Sequence, residues 1–351
     1  MAHDPQPAHT PPFDVPSVGE MSALLPQYEF EKLAAFGGMG AVYKARQASL
    51  DRPVAVKILP PAYGEDHAFA ERFKSEARAM ARLNHTHIVA VYDFGITSEG
   101  HFYLVMEWVQ GPTLHELIQK GSIPVKKVAA LMMQLCDALQ FAHSHKILHR
   151  DIKPGNLMVN EENQLKVADF GLARPLTGEA EENPLGTPDY AAPEIMGGAS
   201  VDQRTDIFAA GIVLYEMLTG RVPGKPHRSV TEFSPVPARW DDIIAKATAP
   251  DPAQRYPDAL EFRAHIAAAL NQAAAAATGS LNAVPVAEPV SNSSSPLPKL
   301  AFIASIVLAA AFFILMPKTE LEPKTAPITE KAEKAEKTEK QKLPRPTTKS
   351  P

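Results

Sequence analysis

The chain has 351 residues, 45% of them apolar and 21% charged, with a formal net charge of −5. That supplies apolar material for one large domain or two modest ones, and the slight acidity argues against a nucleic-acid partner. A single cysteine, Cys136, excludes an intramolecular disulfide and fits a reducing compartment. Cys136 falls in a helical apolar pattern and reads as a packing residue.

Proline crowds both ends, which marks them as tails or linkers. Residues 1–27 are rich in Pro, His and Ser without periodicity and hold no apolar run long enough for a signal peptide. They read as a disordered arm whose last part is placed to pack on the domain that follows. From Tyr28 the pattern changes. Tyr28–Ala35 and Ala41–Ala45 read as strands around the Gly-rich turn Gly37-Gly38-Met39-Gly40, and Pro53–Leu59 reads as a third. Ala68–Leu83 carries Phe69, Phe73, Ala77, Met80 and Leu83 at helical spacing. Ile88–Phe94 and His101–Val109 are two more strands. After Gly111-Pro112 the chain turns helical, over Leu114–Gln119 and Val125–His145. Asp206–Leu218 is nearly apolar throughout and is expected to be a buried central helix. Trp240–Thr248 and Asp258–Leu270 close the domain.

Ala273–Ala277 and the Pro/Ser segment 284–298 read as a linker, so residues 271–299 are assigned to it. Leu300–Met316 has no charge and is expected to be a transmembrane helix. Residues 317–351 form a Lys/Glu/Pro-rich tail, expected to be disordered. The resulting expectation is an α+β chain with a strand-rich lobe over 28–109, a helical lobe over 110–270 and a C-terminal membrane span over 300–316.

The chemistry concentrates in residues 147–171, Ile147-Leu148-His149-Arg150-Asp151-Ile152-Lys153-Pro154-Gly155-Asn156 leading to Val167-Ala168-Asp169-Phe170-Gly171. Two carboxylates and an amide sit at fixed spacing on two loops, separated by the strand-like Leu157-Met158-Val159. Phosphoryl transfer needs such a set: one Asp to orient the proton of an incoming hydroxyl, and an Asn with a second Asp to hold Mg²⁺ against phosphates. The stretch resembles the catalytic loop and metal loop of protein kinases.

The resemblance extends over residues 28–270 and is similar in detail to bacterial serine/threonine kinases of the eukaryotic-like type. It implies a bilobal protein-kinase fold, ATP and Mg²⁺ as cofactors, and protein substrates phosphorylated on Ser or Thr. Asp151 is then the catalytic base, Lys153 a γ-phosphate clamp, and Asn156 and Asp169 the metal ligands. His149 and Phe170 pack between the lobes. Gly37 to Tyr43 looks like the loop that closes over ATP phosphates, where glycines let backbone N–H groups approach. It brings Ala35, Phe36, Gly37, Gly38, Met39, Gly40 and Val42 into the nucleotide set, with Ala35 standing where the family has its first glycine. Val54-Ala55-Val56-Lys57 adds Ala55 and Lys57. Lys57 is expected to hold the α- and β-phosphates and to pair with Glu76. Met106-Glu107-Trp108-Val109 resembles the hinge, with Met106 gating the back of the adenine pocket and the backbone of Glu107 and Val109 meeting its edge.

Arg150 beside Asp151 implies a positive charge met by phosphate on the activation segment, with Thr177 the available hydroxyl of its variable part, Thr187 the other candidate, to which the resemblance gives a structural role near Asp151, and Glu179, Glu181 and Glu182 an alternative source of negative charge. Glu194 is expected to pair with Arg255, and Asp206 to accept backbone N–H groups of the catalytic loop. The stretch between Gly220 and Trp240 looks shortened where the family carries a substrate-docking helix. Two rivals stand against an active kinase: a kinase-fold nucleotide-binding scaffold without turnover, and a P-loop NTPase, which fails because no G-x-x-x-x-G-K-[ST] occurs. A second copy of the chain is a candidate partner for trans-autophosphorylation. With no export signal before the kinase domain, the expectation is a single-pass cell-membrane protein, the kinase domain cytoplasmic and the tail on the outer face.

Overall fold

The computed structural model describes residues 14–37, 40–61, 67–170, 188–196, 201–224 and 228–279. The chain divides into two units, residues 1–284 and 285–351, and the described residues all belong to the first. The expected membrane span and tail, like residues 1–13 of the arm, lie outside them.

The first lobe is a five-stranded antiparallel sheet in the order β1-β2-β3-β5-β4, formed by β1 (Tyr28–Gly37), β2 (Gly40–Gln47), β3 (Arg52–Ile58), β4 (Val91–Ile96) and β5 (Phe102–Glu107). Side chains alternate across a strand, and here the two faces bury different partners. Tyr43, Val54, Val56, Ile58 and Val105 point to one core; Ala55, Leu104 and Met106 belong to the other, with α2 (His67–Met80) against it.

The first core shows that the arm does not stay loose to residue 27. Val18–Leu24 form helix α1, capped by a reciprocal Ser17–Glu20 box, which satisfies two otherwise orphaned N–H groups. Met21 and Leu25 are fully buried against the sheet, and the Tyr43 hydroxyl donates to the Pro16 carbonyl. Seven residues are too few to hold a helix alone; docking on the sheet stabilises it. The last part of the arm thus packs on the domain as expected, but as a helix rather than a disordered segment, and the folded unit begins before Tyr28.

The second lobe is helical: α3 (Leu114–Gln119), α4 (Val125–Ser144), α5 (Pro193–Met196), α6 (Arg204–Thr219), α7 (Arg239–Ala247) and α8 (Ala259–Gly279), with a small β6–β7 ladder of Leu157–Val159 and Leu165–Val167. Helix α6 is buried on every side, as its continuous apolar run requires. Helix α8 runs on to Gly279, so the residues read as the start of a linker at 271 continue a helix; Ala is the strongest helix former, and the Ala-rich run extends the last turns. Between α6 and α7 the described residues hold only a 3-10 turn at Val230–Glu232, in agreement with a shortened segment. The lobes are stitched where Val89 N–H donates to Val167 O and Val167 N–H donates to His87 O, both at 2.9 Å.

Candidate active site

The catalytic loop hangs from a buried carboxylate. Asp206, in the first turn of α6, accepts the backbone N–H of His149 at 2.9 Å and of Arg150 at 2.7 Å, and the ring of His143 at 2.8 Å. Burial pushes the Asp206 carboxyl up, but the hydrogen bond and charge of His143 and the backbone N–H of His149 outweigh it and leave it below the ordinary carboxylate range. His149 is fully buried, and burial lowers its pKa. A neutral ring then uses both nitrogens: Nε2–H donates to Ala168 O at 2.9 Å, and Nδ1 accepts Asp151 N–H at 3.2 Å. The ring also packs on Phe170 at 4.6 Å between centroids. One side chain thus ties the Asp151 loop to the Asp169 loop.

Asp151 is fixed from two sides. Lys153 Nζ lies 2.9 Å from its Oδ2, and Asn156 Nδ2 donates to the same oxygen at 2.9 Å and to the Asp151 carbonyl at 2.8 Å. Both Asn156 bonds use the amide nitrogen, which leaves the amide oxygen, the atom suited to a hard cation. Asp169 Oδ1 is buried, and its partner is Lys57 Nζ, 2.9 Å away as an ion pair. Burial raises the Asp169 carboxyl and the charge of Lys57 more than reverses it, so the group stays ionised. A buried carboxylate whose partner is a cation, and an amide oxygen that neither Asn156 bond uses, are hard oxygens suited to Mg²⁺. Among the described residues no cluster of three or more His, Cys, Asp or Glu forms a self-sufficient metal cage. Mg²⁺ commonly takes one or two protein ligands and completes its shell with phosphate and water. Arg150 and Asp169 both hold left-handed backbone, φ +64° and +58°, a strain that gathers at functional sites.

One expected pairing is corrected. Lys57 pairs with Asp169, not with Glu76. Burial raises the Glu76 carboxyl, and the charges that draw it back are Arg150 and then Arg72. Glu76 and Arg150 line one cavity with Phe170, so the positive charge at Arg150 faces a carboxylate of α2. Periodicity put Glu76 on the correct helix and Met80 in the core, but which cation the carboxylate meets is set by tertiary packing.

The ceiling of the cleft comes from the inner sheet face. Cross-strand register aligns Val42 with Lys57 and Leu104, and Ala55 with Met106. Met106 is buried beside a small apolar cavity shared with Phe170 and Asp169. Glu107 turns its carboxylate to Lys166 at 2.8 Å and gives its N–H to Ala90 O at 2.9 Å, so at this residue the side chain is structural. Ala35 and Phe36 are exposed in β1, and Gly37 ends it. Gly38 and Met39 lie outside the described residues, as do Thr177, Glu179, Glu181, Glu182 and Thr187. Gly40 has φ +125°, and a Cβ there would lie 2.1 Å from Ile58 O, so this turn needs glycine. Ala35 carries no such demand: it pairs with Val42 in ordinary strand conformation.

Glu194 forms the expected bidentate pair with Arg255, at 2.7 and 2.8 Å. Residue patterns alone missed a second buried link. Tyr190 donates its hydroxyl to Glu216 at 2.5 Å, and burial pushes both groups' pKa values up. A lone carboxylate inside the apolar run of α6 was the available signal, since a buried charge needs a partner.

A model of the protein kinase domain matches residues 28–264. Serine/threonine-protein kinase PknL of Mycobacterium tuberculosis is 37% identical over 267 residues, covering 70% of this chain and 67% of that protein. The probable serine/threonine-protein kinase PknB of Bifidobacterium longum is 38% identical over 274 residues, again covering 70% of this chain, which spans only 40% of that longer relative. The crystal structure of the Mycobacterium tuberculosis PknI kinase domain matches with a TM-score of 0.60 at 29% identity, covering 69% of this chain and 96% of that one.

Proposed function

The chain belongs to the protein kinase family, and on that premise we propose that it transfers the γ-phosphate of ATP to serine and threonine hydroxyls of proteins, with Mg²⁺ as cofactor. The observation that carries the reading is Asp151, held by Lys153 and Asn156 at 2.9 Å each, on a loop bound through His149 to the Lys57–Asp169 pair. The relatives' names, serine/threonine-protein kinases, support the acceptor class. Asp151 orients the incoming hydroxyl and takes its proton. Lys153, alongside it, counters charge on the transferring phosphoryl group, and Lys57 positions the nucleotide phosphates. Asn156 and Asp169 would hold Mg²⁺, which supplies charge neutralisation across the phosphate oxygens when bound. A scaffold without turnover is disfavoured, because Lys57, Asp151 and Asp169 are all present and mutually arranged. Incubating the full chain with labelled ATP and Mg²⁺ tests this. Label is expected on Ser or Thr, including the chain's own in trans, and is lost in Lys57→Met and Asp151→Asn; label persisting in both variants overturns the assignment.

The same reading extends to location. Among the described residues no helix is long and apolar enough to cross a membrane. Support for a single span comes from the sequence of Leu300–Met316, uncharged and flanked by Pro298-Lys299 and Pro317-Lys318. As a helix it would reach roughly 25 Å, close to the ~30 Å hydrocarbon core. Lys318, Lys324, Lys331 and Lys334 favour a cytoplasmic tail by the positive-inside rule. An ATP-using domain made first favours the opposite, with interleaved Glu residues softening the contrast. The proposal is a cytoplasmic kinase domain and an outer-face tail. A reporter active only outside the cytoplasm, fused to Pro351, is expected to be active; a silent reporter on membrane-bound protein refutes the topology.

A further inference from the structure

The hinge end of the nucleotide cleft carries a bridge that the catalytic reading does not use. Lys44 on β2 stands across from Ala55, which stands across from Met106. Paired residues share a face and strand side chains repeat every second residue. Lys44 is therefore on the same inner face as Val42, one pair of residues nearer the hinge. Its ammonium lies 2.6 Å from Glu31 on β1 and 5.7 Å from the ring centroid of Trp108, the residue after Glu107. The indole is half-buried, and its N–H donates to Gln110 at 3.1 Å. One cation thus joins both strands of the glycine-rich hairpin to the hinge. It does so at the rim of the surface that Val42 and Ala55 form.

We propose that Glu31, Lys44 and Trp108 form a positioning bridge that holds the glycine-rich hairpin against the hinge and so sets nucleotide affinity. The proposal rests on the nucleotide-binding reading above. Lys44 is not placed at Asp151 or at the phosphates, so it has no route to the chemical step. Its effect falls on how well the ceiling is registered over a bound base, and so on binding. The ring face attracts a cation, and the attraction strengthens where water is partly excluded. Arginine has a longer, planar cation that can stack on the same ring and pair with the same carboxylate, so it is expected to substitute for lysine here.

The geometry also makes Trp108 a reporter. The chain has two tryptophans. Trp240 is fully buried within the helical lobe, while Trp108 sits at the hinge.

The test uses the full chain. Lys44→Ala is expected to raise the Michaelis constant for ATP about threefold to tenfold with kcat within about twofold. Lys44→Arg should return to within about twofold of wild type. Glu31→Gln, at an exposed position whose change leaves the fold intact, should move the constant in the same direction by less. ADP added to the wild type should change tryptophan emission, and Trp108→Phe should abolish the change while phosphorylation continues. An unchanged Michaelis constant in Lys44→Ala and Glu31→Gln, or an equal emission change in Trp108→Phe, overturns the bridge and leaves the kinase reading intact. If ADP neither stabilises the wild type against heat nor competes with ATP, the nucleotide-binding reading falls and the bridge with it.

Discussion

Removing the side chain of Met21 tests whether α1 is part of the folded domain. Met21 is 0% exposed and packs under the sheet with Leu25, Tyr28, Tyr43 and Val56. Truncating such a residue loses its transfer free energy and leaves a cavity, together about 2–5 kcal/mol for Met→Ala. The loss cannot exceed the free energy that docks α1, because beyond that point the helix detaches. A value near the lower half of the range, about 3 kcal/mol, is therefore expected. For a domain of this size that lowers the melting temperature by roughly 6–12 °C. Ser17→Ala removes the side-chain cap on Glu20 N–H and should cost about 1 kcal/mol. Ala23→Gln, exposed on the same helix, should stay within about 0.5 kcal/mol. Thermal unfolding of the full chain followed by circular dichroism measures all three. The inner sheet face carries Val42, Ala55 and Lys57, so ATP turnover by Met21→Ala at 25 °C should match wild type. A melting shift below about 2 °C for Met21→Ala would refute the docking of α1.

Three further outcomes follow from the site. Gly40→Ala drives a Cβ into Ile58 O and should weaken ATP binding by at least about tenfold, whereas Ala35→Gly should change the Michaelis constant by less than about tenfold; equal effects in a radiometric assay would refute the contrast. Lys57 is the cation beside the buried Asp169 carboxylate, so Lys57→Gln removes the charge that keeps that group ionised and should lower kcat roughly a hundredfold; a kcat within twofold of wild type rules out that role. Arg255→Ala leaves Glu194 uncompensated and should cost about 3–5 kcal/mol in urea unfolding. The Glu194 carboxyl, raised by burial but lowered further by Arg255, sits below its ordinary range. Its stabilisation is therefore complete above the unfolded value, about pH 4.3, and is lost as pH falls through the native one. Acid titration of the unfolding free energy should show that loss in wild type and not in Arg255→Ala.

The residues of 147–171 could be read directly because their chemistry is local. Asp151, Lys153 and Asn156 lie within one loop, so spacing alone brings them together, and the structure adds distances of 2.9 Å to a set already chosen. The strands and helices were legible for a similar reason: alternation and 3.6-residue periodicity are written in neighbouring positions. Gly40 could be singled out, though its clash with Ile58 O could not. What lay beyond the sequence were choices between distant partners. Lys57 could pair with a carboxylate of α2 or with Asp169. Both are compatible with the pattern, and only the packing of the folded chain decides for Asp169, leaving Glu76 to Arg150. Helix α1 gave no periodic signal, since seven residues make fewer than two and a half turns, and the apolar face it covers exists only after three strands have paired. The Glu31–Lys44–Trp108 bridge likewise draws its members from β1, β2 and the hinge. Local order is fixed by near neighbours, but which charge meets which is fixed by packing, and packing is a property of the folded chain.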